Sequence, residues 1–256
     1  MKAYTIDSLP RLAALCALAI SAVSPALAAS INYGDFNDFP AGVVEYQDVT
    51  ESSATDAVPL FGAPDVDVNK LDFDPQSFGS SASNGDLEIT DGQLNFSFAT
   101  LPGTGIDSLE ISEGGDFTIV GGSGSTTVNS GIYANVLVTA VNGIALAPAD
   151  QFEVEGSTSA SFNSVGLSQP WNLGLLLEFG PALSLNGFAA GSLVTAGDFV
   201  LNNTLVAASE PGSLAFIAKK DFNITPDGSL DPDNVIPEPT AAALAALALV
   251  GLARRR

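Results

Sequence analysis

Apolar and polar residues alternate with a period of two through most of the middle of this chain. The clearest segment is 93–99, in which Leu94, Phe96 and Phe98 share one side while polar residues occupy the other. The same pattern recurs in segments 108–112, 151–155 and 172–179. Because successive side chains of a β-strand point to opposite faces, the alternation predicts half-buried strands, and no convincing helical period interrupts it.

Glycine-containing breakers separate the alternating segments. The breakers are Asn84-Gly85-Asp86, Asp91-Gly92, Gly103-Thr104-Gly105, Gly114-Gly115, Gly121-Gly122, Asn142-Gly143 and Ala196-Gly197-Asp198. Asp91-Gly92, between segments 87–90 and 93–99, is predicted to form a two-residue hairpin turn. Roughly ten or more short strands with turns at this spacing predict an all-β fold, an antiparallel β-sandwich of jelly-roll type.

The charge of the middle segment excludes one class of partner. Of the 29 acidic residues, all but Asp7 and Glu238 lie between the two chain ends, where Lys70, Lys219 and Lys220 are the only basic residues. Such a surface repels phosphate backbones and anionic lipid headgroups. We therefore expect no nucleic-acid partner.

The absence of two residue types excludes several kinds of site. The single cysteine is Cys16, and the chain has no histidine. Residues 29–236 therefore have no disulfide, no thiolate or imidazole metal ligand, and no cysteine nucleophile or histidine-based triad.

The first 28 residues have the features of a secretory signal peptide. Basic residues precede an apolar run over residues 12–23, which is too short to span a bilayer as a stable helix. Ala26 and Ala28 then form the small-x-small pattern that signal peptidase needs. We expect a signal helix here and cleavage before Ala29.

The last 20 residues have the features of a second sorting signal. Pro237-Glu238-Pro239 precedes an Ala/Leu-rich run over residues 240–253, and the chain ends in Arg254-Arg255-Arg256. As a helix this run would reach about 21 Å, less than the roughly 30 Å of a hydrocarbon core. The arginines would hold the extreme end in the cytoplasm as a basic stop. This predicts a short hydrophobic helix that serves as a transient membrane anchor.

The motif Pro237-Glu238-Pro239 with its apolar run and arginine end resembles the PEP-CTERM sorting signal recognised by exosortases. The resemblance implies an exopolysaccharide-linked export system of a Gram-negative bacterium, with removal of the tail near the motif. Signal peptidase and exosortase would then be partners during export, with exopolysaccharide as a further partner. The destination would be the cell surface or the extracellular matrix. Between this signal (237–256) and a sandwich over 29–224, residues 225–236 read as an acidic Pro/Gly linker.

A second resemblance concerns the start of the middle segment. Segments 50–53, 59–64 and 71–75, followed by Phe78, resemble the beginning of uncharacterised domains on other PEP-CTERM proteins. This resemblance implies a shared scaffold and no particular activity.

Paired aspartates are the candidate metal ligands. Asp65, Asp67, Asp72 and Asp74 place hard oxygen ligands one residue apart, as Ca²⁺ coordination requires, although none fits an EF-hand loop. A solvated acidic surface explains the same pattern. Calcium is therefore one of two alternatives for this segment.

Two further features concern glycans. Trp171, the only tryptophan, could stack on a sugar ring or plug the core. Glu153 and Glu155 could form a glycosidase pair, but they lie two residues apart on one strand without any sign of a cleft. No residue is therefore assigned a catalytic role.

Three functions remain open at this point. We prefer a non-enzymatic structural or adhesive protein of the cell surface or extracellular matrix. The first alternative is a sandwich that resembles a carbohydrate-binding module, which a row of exposed aromatic residues on one sheet face would favour. The second is a secreted glycan hydrolase or lyase, which a cleft holding two carboxylates would favour.

Overall fold

The computed structural model describes residues 29–229, which form thirteen β-strands and one short helix. The elements in chain order are β1 (Ala29–Phe36), β2 (Val44–Ser53), β3 (Asp65–Asp67), β4 (Lys70–Phe73), β5 (Gly79–Ser83), β6 (Leu87–Thr100), β7 (Gly105–Val120), β8 (Thr127–Val141), β9 (Ile144–Ala145), β10 (Phe152–Phe162), β11 (Gly166–Glu178), α1 (Phe179–Leu185), β12 (Val194–Ala208) and β13 (Leu214–Ser229). All strand pairs are antiparallel, which confirms the predicted all-β antiparallel sandwich.

The strands form two layers. Sheet I has the order β1-β2-β6-β12-β8-β10, with β9 paired to the end of β8. Sheet II has the order β11-β7-β13, and β13 then pairs with β5 near its start and with β4 further along. Val194 of β12 lies opposite Ile106 of β7 and joins the two sheets at one corner.

The connectivity is that of a jelly roll. Four nested pairs, β5 with β13, β6 with β12, β7 with β11, and β8 with β10, make one long doubled-over ribbon. Rolling of the ribbon brings β13 beside β7 and β12 beside β8. The eight strands thereby divide into the orders β5-β13-β7-β11 and β6-β12-β8-β10, the double-sheet arrangement predicted from the turn spacing.

The core lies between the two sheets and follows the period-two pattern. Leu94, Phe96 and Phe98 are buried, as are Leu109 and Ile111. Phe96 stacks on Phe199 of the neighbouring strand β12, with 4.6 Å between the ring centroids. The apolar face predicted for these segments is therefore the face that packs in the core between the two sheets.

Four of the seven predicted glycine breakers lie between strands or at a strand end, as expected, and two of them contain asparagine. Asn84-Gly85 and Asn142-Gly143 are turns in which both asparagines adopt positive φ, at 56° and 51°. Asparagine and glycine tolerate this left-handed conformation, which explains why they occupy these positions.

Three other predicted breakers lie inside strands, and Asp91-Gly92 is therefore not a hairpin turn. Strand β6 runs through Asp91-Gly92, β7 through Gly114-Gly115, and β12 through Ala196-Gly197-Asp198. A Cβ on Gly92 would lie 2.7 Å from a ring carbon of Phe78. A Cβ on Gly115 would lie 1.9 Å from the carbonyl oxygen of Ala218. Here glycine allows close packing rather than a change of direction.

The structure also differs from the expectations around 179–185 and after 224. Phe179 begins the seven-residue helix α1, which buries Phe179 and Leu183 one turn apart. Strand β13 continues through Pro226 and Asp227 to Ser229, paired throughout with β7. The sandwich thus extends five residues beyond the predicted boundary, because the backbone of residues 225–229 completes the ladder with β7.

The predicted terminal signals lie outside the described residues. These are the signal peptide with Ala26 and Ala28, the motif Pro237-Glu238-Pro239, and the arginines 254–256. Ala29 is the first described residue and begins β1. Among residues 29–229, no helix is long and apolar enough to cross a membrane.

Candidate functional site

The four candidate calcium ligands lie on or beside the β3–β4 hairpin. Asp65 is opposite Asp72, and Asp67 is opposite Lys70. The Lys70 ammonium donates to Asp72 over 2.7 Å, and this hydrogen bond raises the pKa of Lys70. Within 29–229, no three metal-ligating side chains converge on one point. The charge partner of Asp72 is thus a lysine.

Trp171 is a core residue and offers no face to a sugar. Its side chain is only 5% exposed, packs near Phe162, and donates from Nε1 to the carbonyl of Ala218 over 3.3 Å. On the neighbouring strand β7, Gly115 pairs with Trp171 and Gly114 pairs with Asn172. Of the two alternatives for Trp171, the structure shows the core plug and not the sugar-stacking face, since the ring is buried.

Glu153 and Glu155 lie on the solvent-exposed face of β10. Tyr133 of β8 donates its hydroxyl to Glu155 over 2.7 Å, and this hydrogen bond raises the pKa of Tyr133. The two glutamates thus belong to an open sheet surface.

A cleft of about 620 Å³ lies at the edge of sheet II where β5 meets β13. The loop before β5, strand β5 itself, the start of β6 and the first half of β13 form its walls. Its lining residues are Pro75, Gln76, Ser77, Phe78, Gly79, Ser81, Glu88, Phe216, Ala218, Lys219 and Lys220. None of them was singled out from the sequence as a ligand-binding residue.

The alternation of β13, reset by a bulge, decides which side chains reach this cleft. Ile217 and Lys219 point into the core, whereas Phe216 and Ala218 point outward. The register shifts between Lys219 and Asp221, so Lys220 is the extra residue and is exposed. A β-bulge of this kind re-aims the side chains that follow it. Phe216 is left half-buried, opposite Ser81 of β5.

Polar groups surround the half-buried ring of Phe216. Glu88 accepts a hydrogen bond from the backbone N–H of Ser81, which orients its carboxylate toward β5. Lys220 lies 2.8 Å from Asp116, and its side chain is 62% exposed. The cleft thus combines one apolar ring face with a carboxylate, an ammonium and hydroxyl groups. A ligand with an apolar face and several hydroxyls fits such a combination.

A second cavity, of about 920 Å³, lies among the loops at one end of the sandwich. Several of its polar side chains already form hydrogen bonds within the protein. Asn142 donates to Ser192 over 3.0 Å and accepts from the backbone N–H of Leu193. Thr195 accepts from the backbone N–H of Gly143. The remaining walls are mainly alanine, glycine, leucine and isoleucine. This cavity offers fewer groups for a polar ligand than the cleft at Phe216.

The sequence contained a usable signal for the cleft. In segment 214–218 the alternation places Phe216 on the side opposite Ala215 and Ile217, which predicts an outward aromatic residue. What the sequence did not show is the bulge at Lys220, or that β5 and β6 would place Ser81 and Glu88 beside Phe216.

Comparison with known proteins gives no family for this chain. No family model and no curated protein matches it. Similar solved structures include a carbohydrate-binding module in complex with β-1,4-galactotriose, at 10% identity over 63% of this chain and 73% of that one, with a TM-score of 0.24. A family 11 carbohydrate-binding module from Clostridium thermocellum, in complex with a β-1,3-1,4-mixed-linked tetrasaccharide, has 12% identity over 71% of this chain and 97% of that one, with a TM-score of 0.21.

A further similar structure is the enzymatically active domain of the bacteriophage CBA120 tailspike protein 4. It has 11% identity over 76% of this chain but only 19% of that one, with a TM-score of 0.18. TM-scores of this size carry no inference about the ligand of the present chain.

Proposed function

We propose that this chain is a non-enzymatic, exported surface or matrix protein whose sandwich binds polysaccharide in the cleft at Phe216. The observation that carries the proposal is the half-buried Phe216 ring beside Glu88, Ser81 and Lys220. The C–H face of a sugar ring can pack on the phenyl ring while its hydroxyls bind the surrounding carboxylate, hydroxyl and ammonium groups.

The charge of the chain favours a neutral polysaccharide. The formal net charge is −21, so an anionic polymer would be repelled at a distance. Lys220 alone does not offset this field, because Asp116 lies 2.8 Å from its ammonium.

A binding role fits the cleft better than a hydrolytic one. Glu88 is the only carboxylate among its lining residues, and it already accepts the N–H of Ser81. Glycoside hydrolysis ordinarily needs two carboxylates that flank the scissile bond. The same cleft therefore favours retention of a glycan over its cleavage.

The binding proposal is tested with neutral β-glucan, galactan and xylan, and with alginate as the anionic polymer. In affinity electrophoresis we expect one or more neutral polymers, but not alginate, to retard the protein. Phe216→Ala should weaken this binding at least about tenfold, which corresponds to about 1.4 kcal/mol.

Tyr133→Ala is the matched control, because Tyr133 is 39% exposed on the opposite sheet and does not line the cleft. It should bind as the wild type does. Equal binding by the wild type and Phe216→Ala, or no retardation by any neutral polymer, would contradict the proposal.

The export part of the proposal depends on the two terminal signals. Cleavage before Ala29 and removal of the tail near Pro237-Glu238-Pro239 would leave the sandwich outside the cell. The test is the intact mass of the native protein from fractionated cells. A mature form that still begins at Met1, or still ends in the three arginines, would overturn this part of the proposal and leave the binding test unaffected.

A further inference from the structure

Three polar side chains meet in the buried core beneath the cleft. Lys219 of β13 and Glu113 of β7 come from sheet II, and Asn203 of β12 comes from sheet I. Their exposed fractions are 1%, 3% and 0%. Lys and Glu are rarely buried to this degree, so the cluster needs a physical explanation.

The contacts form a closed triangle. The Lys219 ammonium lies 2.6 Å from Oε2 of Glu113 and donates to Oδ1 of Asn203, also over 2.6 Å. The Asn203 amide nitrogen donates to the same Oε2 over 2.7 Å. The hydroxyl of Ser130 donates to Oε1 of Glu113 and thereby fixes the carboxylate. One carboxylate oxygen thus touches both nitrogen atoms.

The distances place the amine close to the amide carbon. Because a C=O bond is only about 1.2 Å long, Nζ of Lys219 lies about 3–4 Å from Cγ of Asn203. This is the range in which a held nucleophile is positioned to attack. The fold therefore holds the Lys219 amine within reach of the Asn203 amide carbon.

The surroundings favour the neutral amine. Nζ of Lys219 lies 4.3 Å, 4.6 Å and 4.9 Å from the ring centroids of Phe78, Phe222 and Phe61. Burial lowers the pKa of Lys219, although the charge and hydrogen bond of Glu113 act in the opposite direction. A desolvated lysine amine of this kind is a competent nucleophile.

We propose that Lys219 and Asn203 condense into an intramolecular amide cross-link, with Glu113 as the proton carrier. The ammonium gives one proton to Glu113, and the neutral amine attacks Cγ of Asn203. A second proton passes through Glu113 to the amide nitrogen, the Cγ–Nδ2 bond breaks, and ammonia leaves. The new Nζ–Cγ amide keeps one hydrogen, and Glu113 remains protonated, so atoms and charge balance without an oxidant or a cofactor.

The condensation removes an energetic liability of the fold. A buried ion pair must offset the desolvation of two charges, whereas the product holds an uncharged amide and a carboxylic acid. The ammonia would leave through the cleft, whose lining residues include Lys219, after a local opening of the core in which the Lys219 and Glu113 side chains are fully buried. The product joins β12 of sheet I covalently to β13 of sheet II and closes a loop over residues 203–219.

The proposal is independent of glycan binding, and mass spectrometry tests it directly. The purified full chain should weigh less than its amino-acid composition by one ammonia, about 17 Da. Chymotrypsin cuts after Phe216 and so separates Asn203 from Lys219 along the backbone. Digestion should therefore yield a branched species that contains both residues.

Two pairs of variants identify the chemistry. Glu113→Gln keeps the shape of the side chain but cannot carry the proton, so the branched species should disappear; Glu110→Gln, on the exposed side of the same strand, should retain it. Lys219→Met should abolish the cross-link, and Lys220→Met should retain it.

Two outcomes would overturn the proposal. If the wild type has the mass calculated from its amino-acid composition and gives no branched species, the side chains form an ion pair only. Loss of ammonia without the branched species would mean cyclisation at an asparagine and would overturn it equally.

Discussion

Gly92 shows how a single residue decides the packing of the core beneath the cleft. A Cβ at this position would lie 2.7 Å from Phe78 and 3.0 Å from Phe61, two rings that form an edge-to-face pair 5.0 Å apart. Both rings also contact the amine of Lys219. The absence of a side chain at Gly92 therefore allows the aromatic wall around the lysine to close.

We expect Gly92→Ala to lower the free energy of unfolding by about 1–3 kcal/mol, because the added methyl group displaces packed rings. The measurement is urea unfolding followed by fluorescence and circular dichroism. Gly131→Ala is the matched control, since a Cβ at this strand position would meet no atom closer than 4.0 Å. Equal unfolding midpoints for both variants would refute the expectation.

Buried charge at the residue scale was the feature hardest to foresee. Glu51 is fully buried and accepts hydrogen bonds from the N–H groups of Leu60, Phe61 and Gly62 and from the Tyr33 hydroxyl. In the sequence it reads as one more acidic residue of an exposed surface. Its partners lie up to 18 residues away along the chain, so only the folded loop shows that it is satisfied.

At the scale of elements, Glu210 ties two loops together at one end of the sandwich. It accepts from the N–H and the hydroxyl of Ser123 over 2.6 Å and 2.7 Å. These hydrogen bonds lower the pKa of Glu210 below its ordinary value of 4.5. A carboxyl group whose pKa is lower in the folded state stabilises the fold at neutral pH, and this contribution is lost as the pH falls through the folded value.

We therefore expect the loop between β7 and β8 to loosen on acidification before the sheets do. The protection factor of the Ser123 amide in hydrogen exchange should fall between pH 6 and pH 3, whereas those of the β12 ladder should not. In Glu210→Gln the Ser123 amide should show low protection at both pH values. A protection factor at Ser123 that is independent of pH in the wild type would contradict this assignment.

The strands were predictable and several of their ends were not. The alternation around Phe96 and Ile111 reports which side chains are buried, and that depends only on neighbours along one strand. Glycine is ambiguous, because it marks a turn at Asn142-Gly143 and a close approach of strands at Gly115. The cleft depends on a bulge and on the meeting of β13 with β5 and β6, which lie far earlier in the chain, and no local pattern encodes such a meeting.

At the scale of the whole molecule, the excess of carboxylates opposes the compact state. The whole chain has a formal net charge of −21, and most of its carboxylates lie on a single sandwich, where like charges repel more strongly once the chain is folded. Dissolved salt screens this repulsion, with a Debye length that falls from about 30 Å at 0.01 M to about 3 Å at 1 M.

We expect the thermal unfolding midpoint at pH 7 to rise as sodium chloride increases from about 0.01 M to about 0.5 M. The measurement is differential scanning calorimetry, repeated near pH 4, where many carboxyl groups are protonated and the rise should be smaller. A midpoint that falls with salt at pH 7 would show that attractive charge pairs outweigh the net repulsion.

The nesting of the jelly roll also fixes an order in time. Strand β5 pairs with β13, and β6 pairs with β12. The first strands of the roll therefore cannot form these ladders until the last strands are available. Pairings between such distant segments form slowly, because a long stretch of chain must first be brought together. If the chain is threaded through an export channel from its N-terminus, as the export proposal requires, the roll cannot close until residues 214–229 have emerged. In the export that we propose, closure of the roll and formation of the proposed cross-link would therefore be the last events, after the sandwich has reached the outside of the cell.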